Sequence, residues 1–434
     1  MARLMQNLCG WRALSPGPHR ECAMTRTITQ LTVAAVAGLA LLGTVCGAYA
    51  SQDLQVANTG TDNTDCGPEG KLPCRSISRA IAHAEDGDTI VVGPGVYGDI
   101  NNDYRIETIT DDTGEEAWVQ LDPDNIAIIN VNKRLTIVSR DGANDTVIDS
   151  GNTNYDVIVR IAADGVVFGK PGKGFTIRHG GIGVMVDGVS DVRVAGNTAE
   201  MFAQAGFAAG SLISPGVAER TMLRGNKAVL SSWGFIVLDK AAVVRGNIAV
   251  QNSTGFLIGG TSGTKVSKNL AVGNHQYGFL LQAIPLTDNE FPGLRGNAAI
   301  ANWDAGVRMN VNDVVVPVSG SIENNTIMGN YLRGGACDGG ARKMFACTTN
   351  ADCPPSGQYD PPHACQPDYN CGLAVHNATN QPVTVTADGN YWGDPNGPGP
   401  APADSFGGSC DFNLPMVVVS TWASSEIKVA PKVK

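Results

Sequence analysis

Val244-Arg-Gly-Asn247, Val266-Ser-Lys-Asn269 and Leu294-Arg-Gly-Asn297 are three copies of one turn, and Val194-Ala-Gly-Asn197, Leu223-Arg-Gly-Asn226 and Ile322-Glu-Asn-Asn325 extend the series. Their asparagines lie 29, 21, 22, 28 and 28 residues apart, one period near 22 with insertions. Eight or nine residues after each comes a glycine (Gly206, Gly234, Gly255, Gly278, Gly306, Gly334), and five residues after the last four comes a second asparagine (Asn252, Asn274, Asn302, Asn330). A fixed period of this length marks a solenoid, in which each repeat buries its apolar face only against its neighbours.

Between these marks lie short runs with alternating apolar positions, such as Gly255-Phe-Leu-Ile258, and no helical period of useful length. Strands so short cannot build a sandwich. They can coil, each turn stacking on the next at about 4.8 Å. Asparagine tolerates the left-handed conformation and can stack its amide on the asparagine one rung away, so the six are read as a buried structural ladder. The spacing predicts Asn226, Asn247 and Asn269 on consecutive rungs with inward side chains.

Two further segments bear on the ends. Cys66-Gly-Pro-Glu-Gly-Lys-Leu-Pro-Cys74 leads into a predicted helix, Arg75 to Glu85, with Ile77, Ala80, Ile81 and Ala84 on one face, and then into Gly87-Asp-Thr-Ile-Val-Val-Gly-Pro-Gly-Val-Tyr97. Near the other end stands Asn390-Tyr-Trp-Gly-Asp-Pro-Asn-Gly-Pro-Gly399. With these signatures and the repeat, the chain resembles the right-handed parallel β-helix proteins of the pectate-lyase-like superfamily over about residues 55 to 410. The resemblance implies one all-β solenoid domain of roughly ten rungs, about 50 Å long at 4.8 Å per rung, with the short helix capping its first coil. It is silent about reaction.

Leu31 to Cys46 is one apolar run behind Arg26, followed by Ala48-Tyr49-Ala50, which reads as a secretory signal over residues 1–50 with Met24 as the true start. Its core is short for a membrane span of roughly 20 residues, so no transmembrane segment is expected. The domain then runs over residues 51–434, with a cysteine-rich insertion at 334–371 and a tail after 400. This mature chain holds 27 basic and 40 acidic residues, which disfavours nucleic acid as a partner. It keeps eight cysteines (Cys66, Cys74, Cys337, Cys347, Cys353, Cys365, Cys371, Cys410), an even set in an exported protein, read as disulfides rather than metal thiolates. Cys66 is expected to pair with Cys74, the insertion's cysteines mainly among themselves, and Cys410 with the odd one left over.

In the superfamily, substrates lie along the groove beside the strand that follows the repeat glycine. Taking the first residue after that glycine as inward, the outward pairs are Met185 and Asp187, Ala208 and Gly210, Ile236 and Leu238, Leu257 and Gly259, Leu280 and Gln282, Arg308 and Asn310, and Ala374 and His376. Most are apolar or small, whereas the superfamily's lyases and hydrolases need clustered carboxylates or bases there. The polar residues Arg308, Asn310 and His376 form one candidate patch. Trp233, Tyr277 and Trp303 precede the groove strands, where rings could stack on sugar faces or pack the turns. The strip Ile236, Leu238, Leu257 and Leu280 should be covered by Ser211 to Arg220, by the tail from Met416 to Val433, or by a partner.

The acidic run from Asp99 to Asp124 is read as a solvated loop, with calcium at Asp99, Asp103, Asp122 and Asp124 as the alternative; no cofactor is required. The lone histidine of Arg178-His179-Gly180-Gly181 is read as structural, in a turn. The expected function is that of a secreted, periplasmic or cell-surface monomer binding polysaccharide or a surface partner along its groove. A polysaccharide lyase or glycoside hydrolase is the alternative implied by the resemblance, and a periplasmic accessory protein for metal delivery a third, weakened by the lack of histidine clusters.

Overall fold

The computed structural model describes residues 51–98, 116, 119–122, 125–151, 157–210, 219–259, 263–282, 290–312, 317–330, 335–337, 346–347, 351, 354–355, 365–366, 370–379, 381–399, 403–406, 410 and 416–429. All belong to one compact unit, Ala50–Lys434.

Each regular rung carries three short strands. In the rung of Asn247 they are Val243–Arg245, Ile248–Val250 and Thr254–Gly259; in the next they are Lys265–Ser267, Leu270–Val272 and Tyr277–Gln282. Corresponding strands pair in parallel, Val244 with Val266, Ala249 with Ala271 and Phe256 with Phe279. The chain is therefore a parallel β-helix. Its first face is a twelve-stranded sheet that begins at Asp53–Val56 and ends at Met416–Val418.

The asparagines do what their spacing predicts, twice over. In the first ladder the Asn226 backbone N–H and Nδ2 both donate to Asn247 Oδ1 (2.9 and 3.1 Å), and those of Asn247 to Asn269 Oδ1 (2.9 and 3.1 Å). Each Nδ2 also reaches a carbonyl of the previous rung, as Asn247 does at Leu223 (2.8 Å). A buried amide so placed has its donors and acceptor matched, which removes the cost of desolvating it. The ladder runs on through Asn297 and Asn325 to Asn390. The second asparagines form a parallel ladder, Asn252 to Asn274, Asn302 and Asn330.

The inward assignment of the residue after the repeat glycine also holds. Phe207, Phe235, Phe256 and Phe279 stack inside the coil with centroids 5.0, 4.7 and 4.8 Å apart. The glycine itself answers to close approach: a Cβ on Gly255 would stand 2.6 Å from the Gly278 carbonyl oxygen and 3.0 Å from Asn274 Nδ2.

The helix spans Ile77–His83, shorter at both ends than expected. Ser76 is its N-cap, accepting from the Arg79 N–H, and Ala84 turns back to extended backbone. Ile77, Ala80 and Ile81 pack on the first coil. Arg178-His179-Gly180-Gly181 differs from the expected turn: it lies within the strand Thr176–Val186, with a register shift between Gly180 and Ile182. Here and in Thr198–Ala209 the second and third faces merge through a bulge, which keeps the strand continuous while it bends.

Cys66 pairs with Cys74 and Cys371 with Cys410, as expected of the cap and of the odd cysteine. The insertion replaces the turn between Thr326–Met328 and Cys371–Asn377 and contains a small antiparallel sheet, with Gly335–Cys337 between Ala346–Cys347 and Cys365–Gln366. The pairing of Cys337, Cys347, Cys353 and Cys365 lies outside the described residues.

Candidate functional site

The groove row lies on the third face. Its middle is not an open patch. Ile236 and Leu280 are only 6% and 5% exposed, Leu238 and Leu257 are half-buried, and all but Leu280 join Met185, Ala208 and Trp233 in a satellite apolar cluster outside the coil. Residues 211–218 of the expected cover fall outside the described residues. With the strip packed within the chain, the polar ends of the row become the places where chemistry can occur.

At the amino-terminal end, Asn130, Arg160 and Met185 stand on successive rungs. Arg160 Nε and Nη2 both donate to Asp187 Oδ2 (2.9 and 2.7 Å), and Nη1 donates to Asn130 Oδ1 (3.3 Å). Its charge is spent on Asp187. The sequence reading missed this cluster because the repeat asparagines start only at Asn197, so earlier rungs cannot be counted by their marks.

At the carboxy-terminal end, register places Leu280, Arg308 and Ala374 in one column and Gln282, Asn310 and His376 in the next. Arg308 is the centre of this patch. Its Nε donates to Asn310 Oδ1 (2.9 Å), and its guanidinium carbon lies 5.2 Å from the centroid of the Tyr277 ring, a cation–π contact. No carboxylate among the described residues comes within 4 Å of it. Burial raises the Asp304 carboxyl above the ordinary range while Arg308 opposes the shift. Burial also lowers His376, with Arg308 pushing the same way, so the imidazole is neutral at pH 7. Burial raises the Tyr277 hydroxyl, so it stays protonated. The patch thus presents one guanidinium without an ion-pair partner among the described residues, a neutral imidazole and two amides.

Beneath it, Ala305, Ala374 and the Cys371–Cys410 disulfide form a small apolar cluster against which Tyr277 packs. The three candidate rings therefore have packing roles: Tyr277 here, Trp233 against the middle of the row, and Trp303 stacked on His275 at 4.7 Å. None of the three is fully buried.

The calcium set Asp99, Asp103, Asp122 and Asp124 falls outside the described residues, Asp122 being described in its backbone alone. One member of that acidic run, Glu116, departs from the solvated loop: it is fully buried and accepts from the Ile77 and Ser78 N–H groups (2.7 Å each) and the Ser78 hydroxyl (2.6 Å) at the start of the helix. His179 also has a role that the sequence concealed, because Asp149 comes from the rung before. Its Nδ1 lies 2.7 Å from Asp149 Oδ1, and Arg178 Nε donates to Asp149 Oδ2 (2.6 Å). Cys66, Cys74 and His83 have donor atoms within 4.8 Å of one another, but both sulfurs are in the disulfide. No helix among the described residues is long and apolar enough to cross a membrane.

Among solved structures the chain is similar to the A-modules of two Azotobacter vinelandii mannuronan C-5 epimerases. For AlgE6 the identity is 16%, the TM-score 0.47, and the coverage 80% of this chain and 94% of that one. For AlgE4 the values are 15%, 0.43, and 70% of each chain. A rhamnogalacturonan lyase is similar at 11% identity and TM-score 0.48 over 86% of this chain and 87% of its own. These are likenesses of fold. No curated protein matches in sequence. Residues 85–337, more than half of the chain, match the family described as periplasmic copper-binding protein (NosD), a description that agrees with the export read from the sequence. The chain is thus a parallel β-helix protein that belongs to the NosD family.

Proposed function

We propose that the protein is a periplasmic binding protein that holds an extended, carboxylate-bearing polysaccharide at the carboxy-terminal end of its groove. The observation that carries this reading is Arg308: a guanidinium fixed by Asn310 and Tyr277 and set beside His376, with no carboxylate within 4 Å among the described residues. Such a group recognises a carboxylate in two-pronged fashion, while Trp303 and Tyr277 offer ring edges to sugar faces. Among the described residues the row holds no pair of carboxylates suited to acid and base roles, which favours binding over hydrolysis.

The purified protein should be retained on immobilised acidic polysaccharides, and retention should fall at least about tenfold in Arg308→Ala and His376→Ala. Retention should strengthen as pH drops below the ordinary histidine range, since protonating His376 adds a second cation to the patch. Unsaturated products in the same assay would overturn the non-catalytic reading in favour of a lyase. Undiminished retention in both variants would move the site elsewhere.

A second reading comes from the family's description, copper binding. In this chain it is supported by His179, a histidine that a carboxylate holds by one ring nitrogen.

A further inference from the structure

His179 stands in a column that belongs to neither groove end. At the bulge between the second and third faces, one residue per rung takes the left-handed conformation: His179 (φ 62°), Met201 (61°), Leu230 (54°), Gln251 (54°), Gly273 (63°) and Ala301 (53°). The strands before them pair Arg178 with Glu200, Glu200 with Val229, Val229 with Val250, Val250 with Val272 and Val272 with Ile300, so these residues occupy consecutive rungs. Because Arg178 faces Glu200 and Gly180 faces Phe202, His179 and Met201 are neighbours at the ordinary rung spacing of about 4.8 Å. Both have positive φ near 60°, so their Cα–Cβ bonds leave the backbone in similar directions.

Histidine is at home in this conformation, but Met201 is costly where it stands, as is Leu230 in the same column. A bulky side chain at positive φ costs energy, and glycine or asparagine would be at ease there. Burial does not compensate Met201, which is 42% exposed. His179 is oriented from behind. Asp149 Oδ1 lies 2.7 Å from Nδ1, a contact that an Nδ1–H donor satisfies; that tautomer leaves the lone pair on Nε2, which has no hydrogen-bond partner among the described residues. A carboxylate behind an imidazole is the arrangement that fixes the tautomer of metal-binding histidines.

Resting on the copper reading of this family, we propose that His179 Nε2 and the Met201 thioether form a surface site for copper(I). The donor set fits that ion: a thioether is a soft ligand that selects copper(I) over harder cations, and a neutral imidazole binds it without displacing a proton. The pair Asp149 and Arg178 beneath the ring is neutral in sum, so the ion meets no net positive charge there. Two protein donors at a part-exposed strand bulge leave the remaining coordination to the molecule that delivers or receives the ion. The Cys66, Cys74 and His83 cluster cannot serve in this state, because a disulfide supplies no thiolate.

The test is anaerobic titration of the mature chain, disulfides intact, with copper(I) in competition with a chromogenic chelator. One equivalent should be withdrawn by the wild type. Affinity should fall at least roughly tenfold in Met201→Leu, in His179→Asn, whose asparagine accepts the left-handed backbone, and in Asp149→Asn. Copper-edge X-ray absorption should show a sulfur neighbour that Met201→Leu removes and His179→Asn retains. Uptake at full affinity by both Met201→Leu and His179→Asn would overturn this site while leaving the copper reading intact. No uptake by the wild type would overturn both. Uptake only after disulfide reduction would assign the metal to Cys66, Cys74 and His83 and overturn the proposal.

Discussion

The amino-terminal end of the coil is closed by Glu116 and the carboxy-terminal end by Asp404. Both carboxyls are fully buried, and burial pushes both up to about 7. Their partners differ. Glu116 accepts from backbone N–H groups and a hydroxyl at the start of the helix, orphan donors that any helix start must satisfy. Asp404 stands where the second ladder would have its next asparagine, accepting from Asn330 N–H (3.2 Å) and Nδ2 (2.7 Å). The first ladder ends on an amide, Asn390, which accepts from Asn325 and also donates to the Ile322 carbonyl (2.6 Å). An ionised carboxylate can only accept. The contrast teaches that a ladder can be capped by either group, but only the amide makes the cap indifferent to pH.

The clasps of the two ends differ as well, and breaking them gives the largest expected effect. Cys371 and Cys410 are 39 residues apart and hold the segment that carries Asp404, whereas Cys66 and Cys74 are 8 apart. In the chain-entropy account, replacing Cys371 and Cys410 by serine should cost about 4 kcal/mol and replacing Cys66 and Cys74 about 2.5 kcal/mol, read from urea midpoints. Equal losses would show that loop length does not set the difference between the ends.

Next in size is the pH response. In the unfolded chain both carboxyls ionise near 4, and in the folded protein near 7. The folded state therefore binds these protons more tightly. The stability they contribute is complete below pH 4 and is lost as pH rises through 7, on the order of 3 kcal/mol for each group. Asp404→Asn should remove the share of one end, raising stability above pH 7 and leaving it unchanged at pH 4. Asn390→Asp should install a similar loss in the other ladder. Thermal midpoints from pH 4 to 8 decide, and parallel curves for wild type and Asp404→Asn would refute the assignment.

The smallest effect sharpens the contrast between caps and groove. Arg308→Ala and His376→Ala touch part-exposed groups near the carboxy-terminal cap, and each should change stability by less than about 0.5 kcal/mol while lowering polysaccharide retention at least about tenfold. A larger loss of stability would make Arg308 a structural partner of Tyr277 rather than a ligand group.

Legibility followed the repeat. Asn226, Asn247 and Asn269 could be placed on consecutive rungs because their spacing counts one turn each, and Phe256 and Phe279 could be turned inward from the glycine before them. Asp404 could not be found that way: it lies 74 residues beyond Asn330, past the insertion, and it is not an asparagine. Glu116 was concealed by eight neighbouring acids whose composition reads as solvated. The Arg308, Asn310 and His376 patch was visible as polar exceptions in an apolar row, but the Tyr277 ring under the guanidinium was not, since it needs the side-chain path.

By itself the sequence determined the coil, because a repeated turn can satisfy its asparagines and glycines only when each copy lies on the next. It also determined which side of each groove strand faces inward, because alternation in a strand has a period of two. The tertiary structure alone decided which groups from distant rungs meet: Asp149 with His179, Arg160 with Asp187, Asp404 with Asn330 and Cys371 with Cys410. The physical reason is that insertions and bulges change how many residues each rung consumes. Side-chain contact between rungs depends on that count, and the local pattern does not record it.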